Sequence, residues 1–338
     1  EDIFNRNPNE LEFRIQAEKT KKEWVFIDEI QKAPKLLDMV HSLIERKKQK
    51  FAITGSSARK LRRGASNLLA GRAFVYSLFP LTYKELGRSF SLNEVIHWGS
   101  LPKIYQLKSS QEKKGFLRAY ALSYLKEEIM VEQLVRSLNP FRNFIEIAAQ
   151  SNGQILNFSK IANDVGADTK TVQSYFSILE DTLIGFFLPP FHRSVRKQQR
   201  SNPKFYLFDL GVKRALEMTM DQNLLPKTYA FGRAFEHFII VEIFRQNQYL
   251  DKDWRLSYLR TKDDAEIDLI IERPGKALIL IEIKSSDRIC KRDVKSLERL
   301  AIDIKGSRAL CLSLDPNPKK IGNVLCLPWQ QGFVEIGV

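Results

Sequence analysis

The sequence lacks the features that mark membrane, secreted and zinc-binding proteins. No apolar run approaches the roughly 18 residues that span a bilayer, and the longest candidate, IGFFLPPF, is interrupted by prolines. We also expect no signal peptide. The three cysteines, Cys290, Cys311 and Cys326, have neither CxxC spacing nor histidines clustered beside them. We therefore expect no membrane span, zinc site or disulfide framework, and the cysteine usage fits a reducing cytoplasm.

The composition is that of an ordinary folded protein with a basic surface. The 338 residues are 43% hydrophobic and 28% charged, which is typical of globular chains and enough for about two or three domains. Lysine and arginine outnumber aspartate and glutamate by 54 to 40, for a formal net charge of +14. This excess favours a polyanionic partner, and double-stranded DNA is the nucleic acid we expect.

Two apolar strands joined by a turn carry the most distinctive polar side chains, in the segment EIDLIIERPGKALILIEIKSS. Asp268 lies in the first strand, while Glu282 and Lys284 alternate in the second, so a period of two places these last two on one face. The carboxylates are suited to hold Mg²⁺ or Mn²⁺, which would activate water and neutralise a phosphate, and Lys284 would steady the attacking hydroxide. The alternative is an ion pair of Glu282 and Lys284 on a solvated face.

The elements around this segment occur in the order helix, three strands, helix, strand. An amphipathic helix, GRAFEHFIIVEIF, carries Glu236, and the strand LSYLR follows it; a mixed-charge helix over 291–303 and the strand RALCLSL come after the segment. This order, with Asp, thirteen residues and Glu-x-Lys, resembles the PD-(D/E)xK restriction-nuclease-like superfamily over residues 229–328. The resemblance implies a metal-dependent nuclease in which Glu236 joins Asp268 and Glu282 as a metal ligand.

A second candidate site lies near the start of the chain. WVFIDEIQKAP predicts a short buried strand ending in Asp28 and Glu29, followed by a helix over about 34–48 and a second strand, FAITGSSAR. Strand, helix, strand predicts a parallel βαβ unit, in which polar groups at the strand ends line the ligand crevice. The alternative is an acidic strand end that caps the next helix.

These two strands resemble the Walker B and sensor strands of an AAA-type ATPase. The resemblance implies that Asp28 acts on Mg²⁺ through its water shell and that Glu29 polarises the water that attacks the γ-phosphate. It also implies that Thr54 or Ser56 contacts the γ-phosphate or that water. Arg72, in LLAGRAF, would then be an arginine sensor or finger.

The P-loop that should precede a Walker B strand is absent from the sequence. Only 27 residues stand before Asp28, and the chain begins with Glu1 rather than Met. We expect that the first strand and the P-loop lie upstream of Glu1, so that ATP is a cofactor of the longer protein. The alternative is a degenerate ATPase.

The middle of the chain predicts a helical lid over 88–152 and a winged helix over 153–222. SKIANDVG and the helix capped by Asp168 form a helix-turn-helix, and IGFFLPPF and NPKFYLFDL are the expected wing strands. The loop between them, HRSVRKQQRS, has no acidic residue, so it is a candidate for phosphate contacts. The alternatives are a solvated basic tip and a protein-docking module. The candidate DNA-binding residues are Lys170, Thr171 and Gln173 on the second helix and Arg193, Arg196, Lys197 and Arg200 in the loop.

In their order along the chain, these motifs resemble the prokaryotic ATPases that join an AAA-type domain to a C-terminal restriction-nuclease-like domain of unknown function. The predicted fold is therefore α/β and multidomain, with a partial AAA-type core over 1–87 and a nuclease-like domain over 223–338. The leading hypothesis is an ATP-binding, DNA-interacting protein with a Mg-dependent nuclease domain. The alternatives are a non-catalytic DNA-binding or protein-binding switch and an ATPase that acts on a protein. AAA-type folds often need a neighbouring subunit's arginine, which implies self-association.

Overall fold

The chain divides into two units, and each unit consists of two separate stretches of the sequence. The computed structural model describes residues 2–20, 22–55, 73–121, 138–192 and 202–338. One unit comprises residues 1–76 with 181–183, and the other comprises residues 77–180 with 184–338. Among the described residues, no helix combines the length and apolarity needed to cross a membrane.

The smaller unit is built on two parallel strands. Its elements are α1 (Asp2–Arg6), α2 (Glu10–Ala17), β1 (Trp24–Ile27), a 3-10 turn (Ile30–Lys32), α3 (Leu36–Lys47) and β2 (Lys50–Ile53). The strands pair in register from Trp24 with Lys50 to Ile27 with Ile53. The apolar stripe of α3, including Val40 and Leu43, is buried against them. The predicted strand, helix, parallel strand order is therefore confirmed.

The prediction that β1 is a buried strand was wrong for half of its side chains. Trp24 is 48% exposed and Phe26 is 77% exposed. Val25 and Ile27 pack instead against the core formed with α2 and α3. Successive side chains of a strand point to opposite faces, so within the described residues only one face of β1 is covered.

The larger unit begins with helices and one hairpin. Its elements are α4 (Tyr83–Leu86), 3-10 turns at Gly87–Ser89 and Pro102–Gln106, α5 (Leu92–Trp98), α6 (Ser110–Ala119), α7 (Leu138–Gln150), α8 (Phe158–Val165), α9 (Thr169–Asp181), β3 (Gly185–Leu188), β4 (Lys204–Leu207) and α10 (Leu210–Leu216). One hydrophobic cluster joins Leu117, Phe144, Phe176 and Phe205. The segments predicted as lid and winged helix therefore share a single core.

The hairpin of β3 and β4 lies between two hydrophobic clusters. Its strands pair antiparallel, with Phe186 opposite Tyr206. Phe187 and Phe205 pack with the helices of the first cluster, whereas Phe186 and Tyr206 belong to the second. A strand covered on both faces reads as a continuous apolar run rather than an alternating one. That is the pattern of FYL in β4, which is buried throughout.

The second cluster belongs to a mixed sheet covered by helices on both faces. Its elements are α11 (Tyr229–Tyr249), β5 (Arg255–Arg260), β6 (Glu266–Glu272), β7 (Ile279–Lys284), α12 (Lys291–Asp303), β8 (Arg308–Ser313), β9 (Lys319–Ile321), β10 (Val324–Pro328) and α13 (Trp329–Ile336). The strand order is β5-β6-β7-β8-β10-β9. Strands β7, β8 and β10 are parallel to one another, and the other neighbouring pairs are antiparallel. α11 and α13 cover one face and α12 the other.

Candidate functional site

The predicted carboxylates of the sheet lie side by side on β6 and β7. Leu269 pairs with Ile281 across these antiparallel strands, so the next position along the ladder places Asp268 beside Glu282. The backbone N–H of Ile283 donates a hydrogen bond to Asp268 Oδ2 at 2.7 Å. The predicted proximity of the two acids follows from this register.

Asp268 occupies an irregularity in the sheet that the sequence did not reveal. On β5, Ser257 pairs with Ile270 and Leu259 with Ile267, so the single residue Tyr258 faces two residues of β6, Asp268 and Leu269. This is the arrangement of a β-bulge, which bends a strand and re-aims a side chain and is frequent beside active sites.

Glu282 and Lys284 form an ion pair, but not on a solvated face. Lys284 Nζ lies 2.6 Å from Glu282 Oε1, with side-chain exposures of 37% and 10%. Glu282 Oε2 is buried and has no hydrogen-bond partner in the described part of the chain. An unpaired buried carboxylate oxygen is costly, and a proton, a cation or an ordered water would stabilise it.

Three further residues, Lys204, Tyr206 and Glu266, belong to this cluster and were not among the predicted site residues. Lys204 of β4 makes ion pairs with Glu266 Oε1 and, at 3.6 Å, with Glu236 Oε1. The hydroxyl of Tyr206 donates a hydrogen bond to the same Glu236 oxygen at 2.7 Å. A signal was available, because Lys204 opens an otherwise apolar, buried strand. A lysine is almost never fully buried without a charged partner.

Burial and mutual repulsion shape the protonation of the cluster. Burial raises the pKa of Asp268 well above its usual value, and the neighbouring Glu282 and Glu236 raise it further. Burial also raises the pKa of Glu282, although Lys284 opposes this shift. Burial would lower the pKa of Lys284, but Glu282 and Asp268 raise it overall. These shifts favour the charged form of Lys284 and disfavour simultaneous ionisation of Asp268 and Glu282.

The cluster fits one divalent cation by charge. Four carboxylates, of Glu236, Glu266, Asp268 and Glu282, face the two ammonium groups of Lys204 and Lys284, for a formal charge of −2 when all are ionised. The unpartnered Glu282 Oε2 supplies a buried acceptor. Within the described residues, however, no group of three or more His, Cys, Asp or Glu side chains is disposed to hold a metal. Glu236 is coupled to Asp268 electrostatically, but one of its oxygens is already held by Lys204 and Tyr206.

The smaller unit places Asp28, Glu29 and Thr54 together at the ends of its parallel strands. Thr54 Oγ1 donates a hydrogen bond to Asp28 Oδ1 and accepts one from the backbone N–H of Glu29 at 3.4 Å. Glu29 has φ of 54°, a left-handed conformation that is uncommon outside glycine and often found at functional sites. Glu29 precedes the 3-10 turn without capping it through its side chain, which does not support the capping alternative.

The predicted DNA contacts are described only in part. The carboxylate of Asp168 accepts hydrogen bonds from Thr171 N at 2.9 Å and Thr171 Oγ1 at 2.5 Å. Thr171 is thus engaged in the cap of α9, while Lys170 and Gln173 are exposed. The predicted residues that lie outside the described residues are Ser56 and Arg72 of the nucleotide site and Arg193, Arg196, Lys197 and Arg200 of the basic loop.

Three family models match consecutive parts of the chain. They are an AAA domain over residues 1–87, a domain of unknown function (DUF8612) over 89–223 and a domain of unknown function (DUF4143) over 231–331. The first and last matches support a relationship to prokaryotic AAA-type ATPases. The AAA match also suggests ATP binding. The carboxylate cluster therefore draws Lys204 and Tyr206 from the second matched region and its acids from the third.

Curated relatives extend beyond this chain. An uncharacterized protein of Mycobacterium tuberculosis is 27% identical over 297 residues, covering 86% of this chain and 66% of its own length. Uncharacterized proteins of Methanocaldococcus jannaschii and Haemophilus influenzae are 23% and 22% identical, and 68% and 64% of their lengths are covered. The chain thus spans about two thirds of the length of these relatives.

Proposed function

We propose that this chain is part of an ATP-binding protein that acts on DNA, and that its C-terminal sheet cleaves phosphodiester bonds with Mg²⁺ or Mn²⁺. The observation that carries the proposal is that Asp268, Glu282 and Lys284 lie together on the sheet. Glu282 pairs with Lys284 through one carboxylate oxygen, and its other oxygen is buried without a hydrogen-bond partner among the described residues. Carboxylates with an adjacent ammonium suit phosphoryl chemistry, because a cation and a lysine both stabilise developing negative charge. The restriction-nuclease-like fold and the roles of these residues are part of this proposal.

Each side chain would have a distinct task at the site. Asp268 and Glu282 would hold the cation, with Glu236 as the third acid, and the cation would supply Lewis acidity and an activated water. Lys284 is the more exposed partner of its ion pair, so it can contact a phosphate oxygen while its ammonium steadies Glu282. The raised pKa of Asp268 means that protons compete with the cation for this carboxylate, so metal affinity should rise with pH.

DNA delivery is proposed for the middle of the chain, and nucleotide control for its start. The basic loop would contact the DNA backbone through Arg193, Arg196, Lys197 and Arg200. In the longer protein, Asp28 and Glu29 would act on Mg²⁺ and water at ATP. The joined strand ends at Thr54 and Asp28 support such a site, since phosphate sites occur where parallel strands end.

The decisive experiment is DNA cleavage by the full chain with three variants. Linear, circular and branched DNA would be incubated with Mn²⁺ or Mg²⁺ and wild type, Asp268→Asn, Lys284→Gln or Asp264→Asn. Asp264 lies just before β6 but is exposed and paired with Arg260, so its variant is the matched control. Loss of a metal ligand should reduce the cleavage rate by at least about 100-fold, the upper range for groups that only support ligands.

Two results would refute the nuclease proposal. One is that wild type cleaves none of these DNA forms with either metal. The other is that cleavage persists at an undiminished rate in both Asp268→Asn and Lys284→Gln, which would assign it to a contaminant or to another site. Loss of activity in Asp264→Asn as well would show that the effect is not specific to the cluster.

A second candidate, a non-catalytic DNA-binding switch, is favoured by one observation. The negative charge of the carboxylate cluster is already partly neutralised, because Lys204 pairs with Glu236 and Glu266. The cluster therefore has less need of a metal ion. In that case DNA binding should weaken in Arg196→Ala/Lys197→Ala, and the slope of log affinity against log salt should fall by about 0.9 for each lost phosphate contact. Asp268→Asn should leave binding unchanged. Binding that the loop variant does not weaken would exclude this version.

A further inference from the structure

Lys204 is an isolated charge in a strand that is buried on both faces. It opens β4, whose other residues, Phe205, Tyr206 and Leu207, are core residues. The Lys204 side chain is only 4% exposed. A lysine in such a place must be compensated, and its ammonium is turned toward the carboxylates of Glu236 and Glu266.

The surroundings of the ammonium are those of a cation site. One oxygen of Glu236 lies 3.6 Å from Nζ, and Glu266 is closer. The ring of Tyr258, the residue opposite the bulge, lies 5.3 Å away and adds a cation–π contact. The two carboxylates and the ring together compensate the charge of this buried ammonium.

We propose that Lys204 is a built-in cation of the carboxylate cluster, occupying between Glu236 and Glu266 the place where a second divalent cation would otherwise bind. The inference rests on the proposed metal site and makes that site specific for one divalent cation. With Lys204 in place, the formal charge of −2 is neutralised by one such ion. Without Lys204 the formal charge becomes −3, and the half-buried carboxylates of Glu236 and Glu266 lose their ammonium partner. Lys204 is therefore a positioning residue that sets metal stoichiometry and does not touch substrate.

Calorimetric titration of the full, nucleotide-free chain with MnCl₂ tests this role. Asp268→Asn identifies the Mn²⁺ that belongs to the cluster, because any other metal site keeps its ion. We expect wild type to bind one Asp268-dependent Mn²⁺. Lys204→Gln should bind a second ion, or bind the first at least about tenfold more tightly, the scale on which supporting groups alter metal affinity. Lys204→Arg, which keeps the charge, should behave as wild type.

A charge-compensated variant keeps the test valid if Lys204→Gln does not fold. Lys204→Gln/Glu266→Gln removes one charge of each sign, and Glu236 keeps its hydrogen bond from Tyr206, so this variant should fold. It should bind one Mn²⁺ with an affinity within about threefold of wild type. Two ions bound by this double variant would contradict the proposal. The increase in melting temperature on adding Mn²⁺ gives a second readout, and it should be largest for Lys204→Gln.

The outcomes separate this inference from the proposed nuclease function. Unchanged stoichiometry and affinity in Lys204→Gln, or a change of equal size in Lys204→Arg, would overturn the role of Lys204. If wild type binds no Asp268-dependent Mn²⁺ but Lys204→Gln binds one, Lys204 is upheld as the cation of a metal-free scaffold. That last result would at the same time exclude metal-dependent cleavage by the native chain.

Discussion

Replacement of Arg245 by methionine should be among the most destabilising changes in the larger unit. Arg245 and Glu242 lie one turn apart on α11, and their side chains are 2% and 1% exposed. Arg245 Nη1 lies 3.1 Å from Glu242 Oε1. Arg245 also donates hydrogen bonds to Ser100 Oγ at 3.0 Å and to the carbonyl oxygen of Phe208 at 2.6 Å. The guanidinium thus ties α11 to two other segments of the unit.

The expected cost follows from leaving Glu242 buried without its counter-ion. Burial already raises the pKa of Glu242, and Arg245 is the largest influence that lowers it. Removing one partner of a buried ion pair costs about 3–5 kcal/mol. For a unit of this size, each kcal/mol lowers the melting temperature by about 2–4 °C, so Arg245→Met should lose about 6–20 °C.

Chemical and thermal denaturation of the full chain would measure this loss. Arg260→Met is the matched control, because Arg260 pairs with Asp264 at the surface, where the side chains are 44% and 78% exposed. That variant should lose less than about 1 kcal/mol. Arg245→Met/Glu242→Gln should recover part of the stability, since it removes the buried charge. A cost below about 1 kcal/mol for Arg245→Met would refute the reasoning.

Three further predictions concern buried groups of the same unit. Burial lowers the pKa of His237 to about 3, below its unfolded value of about 6.5. The contribution of the neutral imidazole to the free energy of unfolding is therefore complete above pH 6.5 and is lost as the pH falls toward 3. Between pH 6.5 and pH 3, the free energy of unfolding of wild type should fall by up to about 5 kcal/mol more than that of His237→Gln. An equal dependence of this free energy on pH in the two proteins would contradict the prediction. Asp268 has a raised pKa, so stability is lost as the pH rises from its unfolded value of about 3.9 through its folded value. Asp268→Asn should therefore be more stable than wild type at pH 8 without metal and similar at pH 3; an Asp268→Asn variant that unfolds more readily at pH 8 would be evidence against it. In Gly211→Ala the new Cβ would lie 2.1 Å from the backbone oxygen of Trp98, which should cost about 2–3 kcal/mol, whereas Gly115→Ala, with open space, should be neutral or stabilising by up to about 1 kcal/mol.

Sequence periodicity was sufficient for the local parts of the fold. The period of two in β7 placed Glu282 and Lys284 together, and they form the ion pair. The helix over 291–303 coincides with α12, because its apolar positions recur with the helical repeat. The end of α8 at Gly166 and the cap of α9 by Asp168 were likewise predicted from the sequence and are confirmed. These features depend on residues a few positions apart, whose geometry the backbone period determines.

The tertiary structure decided which distant segments meet. Nothing local in the sequence brings Lys204 of β4 to Glu236 of α11 and Glu266 of β6, nor opposes Tyr258 to the bulge at Asp268. The exposure of Trp24 and Phe26 was likewise invisible in an apolar strand. Chain pairing and burial arise from the summed packing of the whole unit, and an apolar run looks the same whether one face or both are covered. The sequence thus identified three acids of the site, Glu236, Asp268 and Glu282, while packing added Glu266 and the Lys204 that pairs with it.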